Sequence, residues 1–257
     1  MPEFCKVERD GHVTTITINR PEVMNAIHPP ASAELSQAFD AFIADPDAWV
    51  AIITGAGERA FSAGNDLKFQ AAGNKMEWPE TGFAGVTQRF ENAKPLIAAV
   101  NGLALGGGFE IVLACDIAIA SEKASFGLPE PRVGLAALGG GMHRLPRQIG
   151  MKPAMGMLLT GRRVEAREAL ALGIVNEVVA PGELMSAARR WADAICECSP
   201  VSVRTTKRVA LEGLAHASLQ EAIEARYDAI VDLVKSEDFI EGPMAFAQKR
   251  KPNWKGR

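Results

Sequence analysis

The stretch from Asn101 to Glu130 constrains this chain more than any other. It reads NGLALGGGFEIVLACDIAIASEKASFGLPE. An apolar run over residues 95–100 leads into three consecutive glycines, Gly106, Gly107 and Gly108, which open onto a helix-like apolar pattern. Glycines adopt dihedrals closed to other residues and let a ligand come close to the main chain. Set before a helix, they leave outward-pointing N–H groups where the helix dipole favours negative charge. Such a place suits an anion, or an oxygen that becomes negative during a reaction. Glu110 stands in this pattern between Phe109 and Ile111-Val112-Leu113. A carboxylate in apolar company is costly unless paired or neutral, and such groups often do chemistry. The alternative is a capping glutamate in the first helical turn. A second carboxylate, Glu130, closes the stretch between Pro129 and Pro131.

A similar loop occurs earlier. Val50 to Thr54 reads as a strand covered on both faces, and after a glycine-rich turn comes Ser62-Ala63-Gly64-Asn65. Its small residues permit a second backbone N–H donor, or simply a turn in which Asp66 caps a helix. Two donors aimed at one oxygen stabilise an enolate, and two carboxylates beside it move protons. Burial raises the pKa of at least one of them, which suits acid–base work near neutrality. Other chemistries lack their residues. There is no G-x-S-x-G elbow, no G-K-[ST] phosphate loop, and no G-x-G-x-x-G after a strand with its acidic partner. His12, His28, His143 and His216 are scattered, and Cys196-Glu197-Cys198 has no partner pair, so no metal site is expected.

At 257 residues the chain fits one domain with an appendage. Its net charge of -3 gives no basic field for nucleic acid. Its apolar runs stop short of a membrane span, and the N-terminal stretch has no apolar signal core, so a cytoplasmic location is expected. Strands are expected at 4–9, 13–18, 50–54, 96–100, 117–120 and 174–179. Helices are expected at 32–44, capped by Ser32, and at 86–93. From Glu183 onward the pattern is helical, with one helix over 219–235. A layered α/β core over 1–197 and a helical region over 198–257 follow from that shift. Residues 70–85 read as a ligand-lining loop or an ordinary surface excursion, with Trp78 and Phe83 the residues to meet a ligand. No internal repeat is visible.

Three spaced signatures carry a resemblance: Phe61-Ser62-Ala63-Gly64-Asn65-Asp66-Leu67, Asn101 through Glu110, and Phe126-Gly127-Leu128-Pro129-Glu130. Asn25-Ala26, Lys94-Pro95, Ala114-Cys115-Asp116 and Thr160-Gly161 agree with them in order. The chain resembles the crotonase family of enoyl-CoA hydratases and isomerases over nearly its whole length. The resemblance implies an α/β crotonase (ClpP-like) spiral of ββα units with a helical C-terminal trimerisation region. It implies a homotrimer or dimer of trimers acting on an acyl-CoA thioester, with coenzyme A arriving as part of the substrate and no tightly bound cofactor. The N–H groups of Asn65 and Gly107 become the oxyanion hole. Glu110 and Glu130 become the acid–base pair on a water, as in hydratases, whereas isomerases often keep only the second glutamate.

The same resemblance places Asn25, Ala26, Ile27, Ala63, Asp66 and Leu67 along the CoA path. Lys249 would reach CoA phosphates from a neighbouring subunit or remain a solvated charge. Trp78 and Phe83 of the 70–85 loop, with Leu135, are expected to line the substrate pocket. Within the family, Gly82-Phe83-Ala84-Gly85, Arg144-Leu145-Pro146 and the ending 236–257 look like carnitinyl-CoA dehydratases, also called crotonobetainyl-CoA hydratases. Ala137 departs from the family's usual proline, and His28-Pro29-Pro30 from its usual helix start. Hydration or dehydration is thus the leading expectation. An isomerase or another enolate-stabilising enzyme is the second, and a non-catalytic acyl-CoA- or RNA-binding scaffold the third.

Overall fold

The alternating run Val13–Ile18 pairs with the segment before it. Cys5–Asp10 (β1) and Val13–Ile18 (β2) form an antiparallel hairpin in a computed structural model that describes residues 3–257; the first two residues of the expected 1–197 core lie outside them. β1 is the outer strand, and beyond Cys5 it is exposed and mostly charged, which blunts a sheet edge. The helix Pro29–Ala44 (α1) begins earlier than expected. Proline at the first turn needs no N–H partner, and His28, rather than Ser32, is the cap, its Nδ1 accepting the Ala31 N–H at 3.3 Å. Ser32 is fully buried inside the helix.

The chain continues through Val50–Gly55 (β3), Ala60–Ser62 (β4), Leu67–Ala71 (α2), Leu96–Val100 (β5), Leu103–Leu105 (β6) and Gly107–Ala114 (α3). Ile117–Ser121 (β7), Ser125–Gly127 (β8), Gly141–Ile149 (α4), Met151–Thr160 (α5), Arg163–Glu165 (β9), Ala166–Leu172 (α6), Glu177–Val179 (β10) and Leu184–Cys196 (α7) follow. Two sheets result, one ordered β1-β2-β3-β5-β7-β10 and the other β4-β6-β8-β9. They advance in tandem. Each of the pairs β3/β4, β5/β6 and β7/β8 puts its first strand in the large sheet and its second in the small one, and successive pairs run parallel. Helices α2 and α3 close the first two pairs. This is a ββα unit wound into a spiral, a repeat of topology rather than of sequence.

Alternation along the strands sorts two cores. Ala51 and Ile53 face Leu35, Phe39 and Phe42 of α1, together with Phe61, Phe109 and Phe126. Val50 and Ile52 face Leu184, Ala187, Ala188 and Ala192 of α7. A sheet covered on both faces explains why β3 and β5 are buried throughout and almost wholly apolar. In the small sheet the register Ser62↔Ala104 and Leu105↔Gly127 aligns β4, β6 and β8. Their carboxyl ends therefore open at one edge, the side of a parallel sheet where ligands bind. The loops 62–66, 105–108 and 127–130 meet there.

Two expected helices differ. Residues 86–93 form turns after a single 3-10 turn, Phe83–Gly85. Tertiary bonds replace helical ones, with the Arg89 guanidinium donating to the Ser36 carbonyl of α1 at 2.8 Å and to Asp40 at 2.7 Å. Near the C-terminus come Pro200–Gly213 (α8), Leu219–Glu224 (α9), Asp228–Lys235 (α10) and Glu237–Ala247 (α11). The single helix expected over 219–235 is broken, because Ala225 and Tyr227 are extended (ψ 149° and 121°). The Tyr227 hydroxyl bridges the break, donating to the Ala222 carbonyl at 2.7 Å. α8, α10 and α11 pack on one another. Among the described residues no helix is long and apolar enough to cross a membrane.

Candidate active site

The loop after β4 is fixed by an isolated parallel bridge between Ile27 and Asn65. The Ile27 N–H donates to the Gly64 carbonyl at 2.8 Å, and the Asp66 N–H donates to the Ile27 carbonyl at 3.0 Å. Both bonds use the neighbours of Asn65, so by strand alternation its own N–H points the other way. The facing loop is the start of α3. Gly106 turns the chain with φ 54° and its N–H donates to the Gly127 carbonyl at 2.9 Å. Gly107 then opens the helix, where an N–H has no intrahelical acceptor. The loops touch: a Cβ on Gly64 would lie 2.8 Å from the Gly107 nitrogen. Two N–H groups thus sit on adjoining loops. The Phe83 ring covers Gly107, since a Cβ there would meet its edge at 2.4 Å, and Trp78 packs against Phe83 with centroids 4.9 Å apart. Leu135 lies half exposed on the loop after Glu130, tied back by its N–H to the Glu130 carbonyl at 2.9 Å.

Glu110, on the first turn of α3, is 4% exposed. It does not cap its own helix. Its Oε1 instead accepts the Gly141 N–H at 2.8 Å, at the start of α4. The run Gly139-Gly140-Gly141 is what makes this possible, because a Cβ on Gly139 would lie 2.5 Å from Glu110 Oε2. Burial pushes the Glu110 carboxyl up to about 7; the Gly141 N–H opposes the rise and the Glu130 carboxylate adds to it. Glu130 is half-buried on a 3-10 turn, with Oε1 against Gly106 and Oε2 buried without a protein partner. Burial pushes its carboxyl upward as well.

The sequence profile of the enoyl-CoA hydratase/isomerase family matches residues 8–257. The chain belongs to the crotonase family. It is an enzyme of the enoyl-CoA hydratase/isomerase superfamily, the lyase type. It is 44% identical over 263 residues, all of both chains, to a carnitinyl-CoA dehydratase of Proteus mirabilis (strain HI4320). Among solved structures, an enoyl-CoA hydratase from Mycobacterium tuberculosis H37Rv superimposes with a TM-score of 0.93 at 39% identity, covering all of both chains. A carnitinyl-CoA hydratase from Mycobacterium avium gives 0.79 at 43% identity, covering 99% of each.

In this crotonase, several residues expected along the CoA path stand behind the surface. Asn25 is fully buried. Its side chain accepts the Arg20 N–H at 3.0 Å and donates to the carbonyls of Ala56 and Ala60 at 3.0 and 2.8 Å. Ile27 is likewise fully buried, its backbone bridging Asn65. Asp66 caps α2 through the Phe69 N–H at 3.1 Å and pairs with Arg20 at 3.0 Å. Burial pushes the Asp66 carboxyl up, yet these partners outweigh it and hold it below the usual range. The side chains of Asn25, Ile27 and Asp66 therefore hold the loop in place. Ala26 is buried beside them, Ala63 is half-buried, and Leu67 is exposed on the rim. Lys249 follows α11 at φ 55° and is exposed.

The elevated Glu110 carboxyl has a stability consequence. Between pH 4.5 and about 7 the unfolded chain ionises this group while the folded chain keeps it protonated, so stability falls as pH rises through that window. Glu110→Gln removes the penalty while keeping an acceptor for Gly141. Chemical denaturation should find the variant equal to wild type at pH 4 and more stable by about 3 kcal/mol at pH 8. Equal stability at both values would mean the carboxylate is compensated when charged.

Proposed function

We propose that this enzyme adds water across, or removes it to form, the α,β double bond of an acyl-CoA thioester. The observation that carries this reading is the meeting of two carboxyls, Glu110 and Glu130, beside the adjoining donor loops of Asn65 and Gly107. In the hydration direction the water oxygen bonds to the β-carbon and its proton passes to Glu130. The electron pair of the double bond moves onto the thioester oxygen, which the N–H groups of Asn65 and Gly107 receive. The α-carbon then takes a proton from the carboxyl, restoring the starting ionisation. Glu110 accepts a hydrogen bond from the same water and shares the proton traffic. Migration of a double bond needs only one carboxyl. The second, with its own glycine cradle, favours hydration over isomerisation.

The acyl group is the finer part of the proposal. The resemblance to carnitinyl-CoA dehydratases points to a trimethylammonium-bearing acyl chain. Trp78 and Phe83, packed beside Gly107, are aromatic faces suited to such a cation. Apolar side chains exposed along residues 211–246, Phe246 at 88% among them, support a homotrimer or dimer of trimers built through the region 198–257. The deciding experiment follows the absorbance of the conjugated thioester with crotonyl-CoA and crotonobetainyl-CoA side by side. Loss only with crotonobetainyl-CoA is expected. Rapid loss with crotonyl-CoA would make this a general short-chain hydratase, and bond migration in a β,γ-unsaturated thioester without water uptake would favour the isomerase.

A further inference from the structure

Arg144 lies one helical turn into α4, and its guanidinium folds back over that helix's own start. One end donates to the Thr87 carbonyl at 2.7 Å and, more weakly, to the Gly139 carbonyl at 3.4 Å. It packs against bare backbone at Gly140, where a side chain would collide with it, and lies 5.8 Å from the exposed Phe90 ring. Gly139 and Gly141 cradle the Glu110 carboxyl. Thr87 follows Phe83, the ring that covers Gly107. One side chain therefore ties the backbone holding Glu110 to the segment walling the site.

The geometry points to Arg144 as the positioning residue of Glu110, fixing the Gly139–Gly141 turn that cradles its carboxyl and bringing a positive charge to that side of it. This inference rests on the acid–base reading of Glu110. The charged groups that act on Glu110 are few. Glu130 faces it from the 3-10 turn and raises its pKa, while Arg144 on α4 lowers it. Cys115, the residue after α3, is a half-buried thiol whose pKa desolvation pushes up. Arg144 thus opposes the burial that otherwise drives the Glu110 carboxyl toward the neutral form.

The test measures hydration of crotonobetainyl-CoA, with crotonyl-CoA in parallel, as a function of pH in wild type, Arg144→Met, Arg144→Lys and Glu110→Gln. Glu110 must be ionised to share the water's proton, so the acid limb of kcat/KM in the free enzyme carries its titration beside that of Glu130. Loss of the positive charge in Arg144→Met should move that limb about one unit toward alkaline pH. Misplacement of the turn should lower kcat about 10²-fold while KM stays near wild type. Lysine keeps the charge without the planar fork. Arg144→Lys should leave the limb in place and still lose about tenfold in kcat, by the same dependence on placement.

An Arg144→Met limb that does not move overturns the inference. Should the methionine variant fail to fold, the lysine variant decides, and wild-type kcat there overturns it equally. Glu110→Gln separates the two claims. Wild-type turnover in that variant would remove the acid–base reading and this inference together. An inactive Glu110→Gln beside an unmoved Arg144→Met limb would remove this inference alone.

Discussion

Glu130→Gln should lower hydration turnover about 10³-fold, within the range a positioned acid–base group supplies, while the melting temperature does not fall. The two halves of that expectation share one cause. Glu130 Oε2 is buried without a protein partner and its carboxyl is pushed toward the neutral form. Glutamine has the same shape and no charge to desolvate, so the fold loses nothing. What disappears is a group able to take and return a proton. Steady-state kinetics and a thermal melt on the same preparation check both. Glu130→Asp should fare nearly as badly, because withdrawing the carboxyl by one methylene breaks the alignment with a water at the β-carbon. Turnover within tenfold of wild type in the glutamine variant would move the proton transfer to another group.

That pair of carboxyls was legible because each stands against its sequence background, Glu110 among apolar residues and Glu130 between prolines. The large sheet was legible for a similar reason. β2, β3, β5 and β7 are buried runs with alternating or continuous apolar character. The small sheet was not. β4, β6, β8 and β9 have three residues each, too few for any period to register. Yet that sheet is what brings the three loops to one edge, so local pattern gave the parts of the site without the reason they meet. The family resemblance supplied the spiral instead.

The second glycine run, Gly139–Gly141, leads into α4. Its target, Glu110, lies 31 positions earlier in the chain, a pairing that only tertiary structure reveals. Asn25 was placed on the CoA path by the resemblance alone, and nothing local in the sequence shows that its side chain turns inward to pin the turns at Ala56 and Ala60. The helix expected at 86–93 was lost to tertiary override, since Arg89 finds its partners on α1 rather than along its own segment.

Gly64→Ala should lower kcat about 10²- to 10³-fold, the loss seen when an oxyanion donor is removed, and lower the melting temperature by several degrees. Gly64 has φ +86°, a conformation strained for any other residue, and its added Cβ would lie 2.6 Å from the Leu105 carbonyl oxygen and 2.8 Å from the Gly107 nitrogen. Both obstacles are backbone, so neither can swing aside, and relief comes only by parting the two loops. Parting them separates the Asn65 N–H from the Gly107 N–H, and one oxygen no longer receives both. The strain itself costs about 1–3 kcal/mol, which for a chain of this size is about 2–12 °C. Strain and donor geometry are separable. Gly11 also has positive φ, +60°, but nothing lies within 4 Å of its Cβ position and it sits in the β1–β2 turn. Gly11→Ala should therefore lower the melting temperature and leave turnover alone. If Gly64→Ala turned over as fast as Gly11→Ala, the thioester oxygen would not be held between these loops. A deep loss confined to Gly64→Ala would tie catalysis to the contact between two backbone turns, each contributed by a successive unit of the spiral.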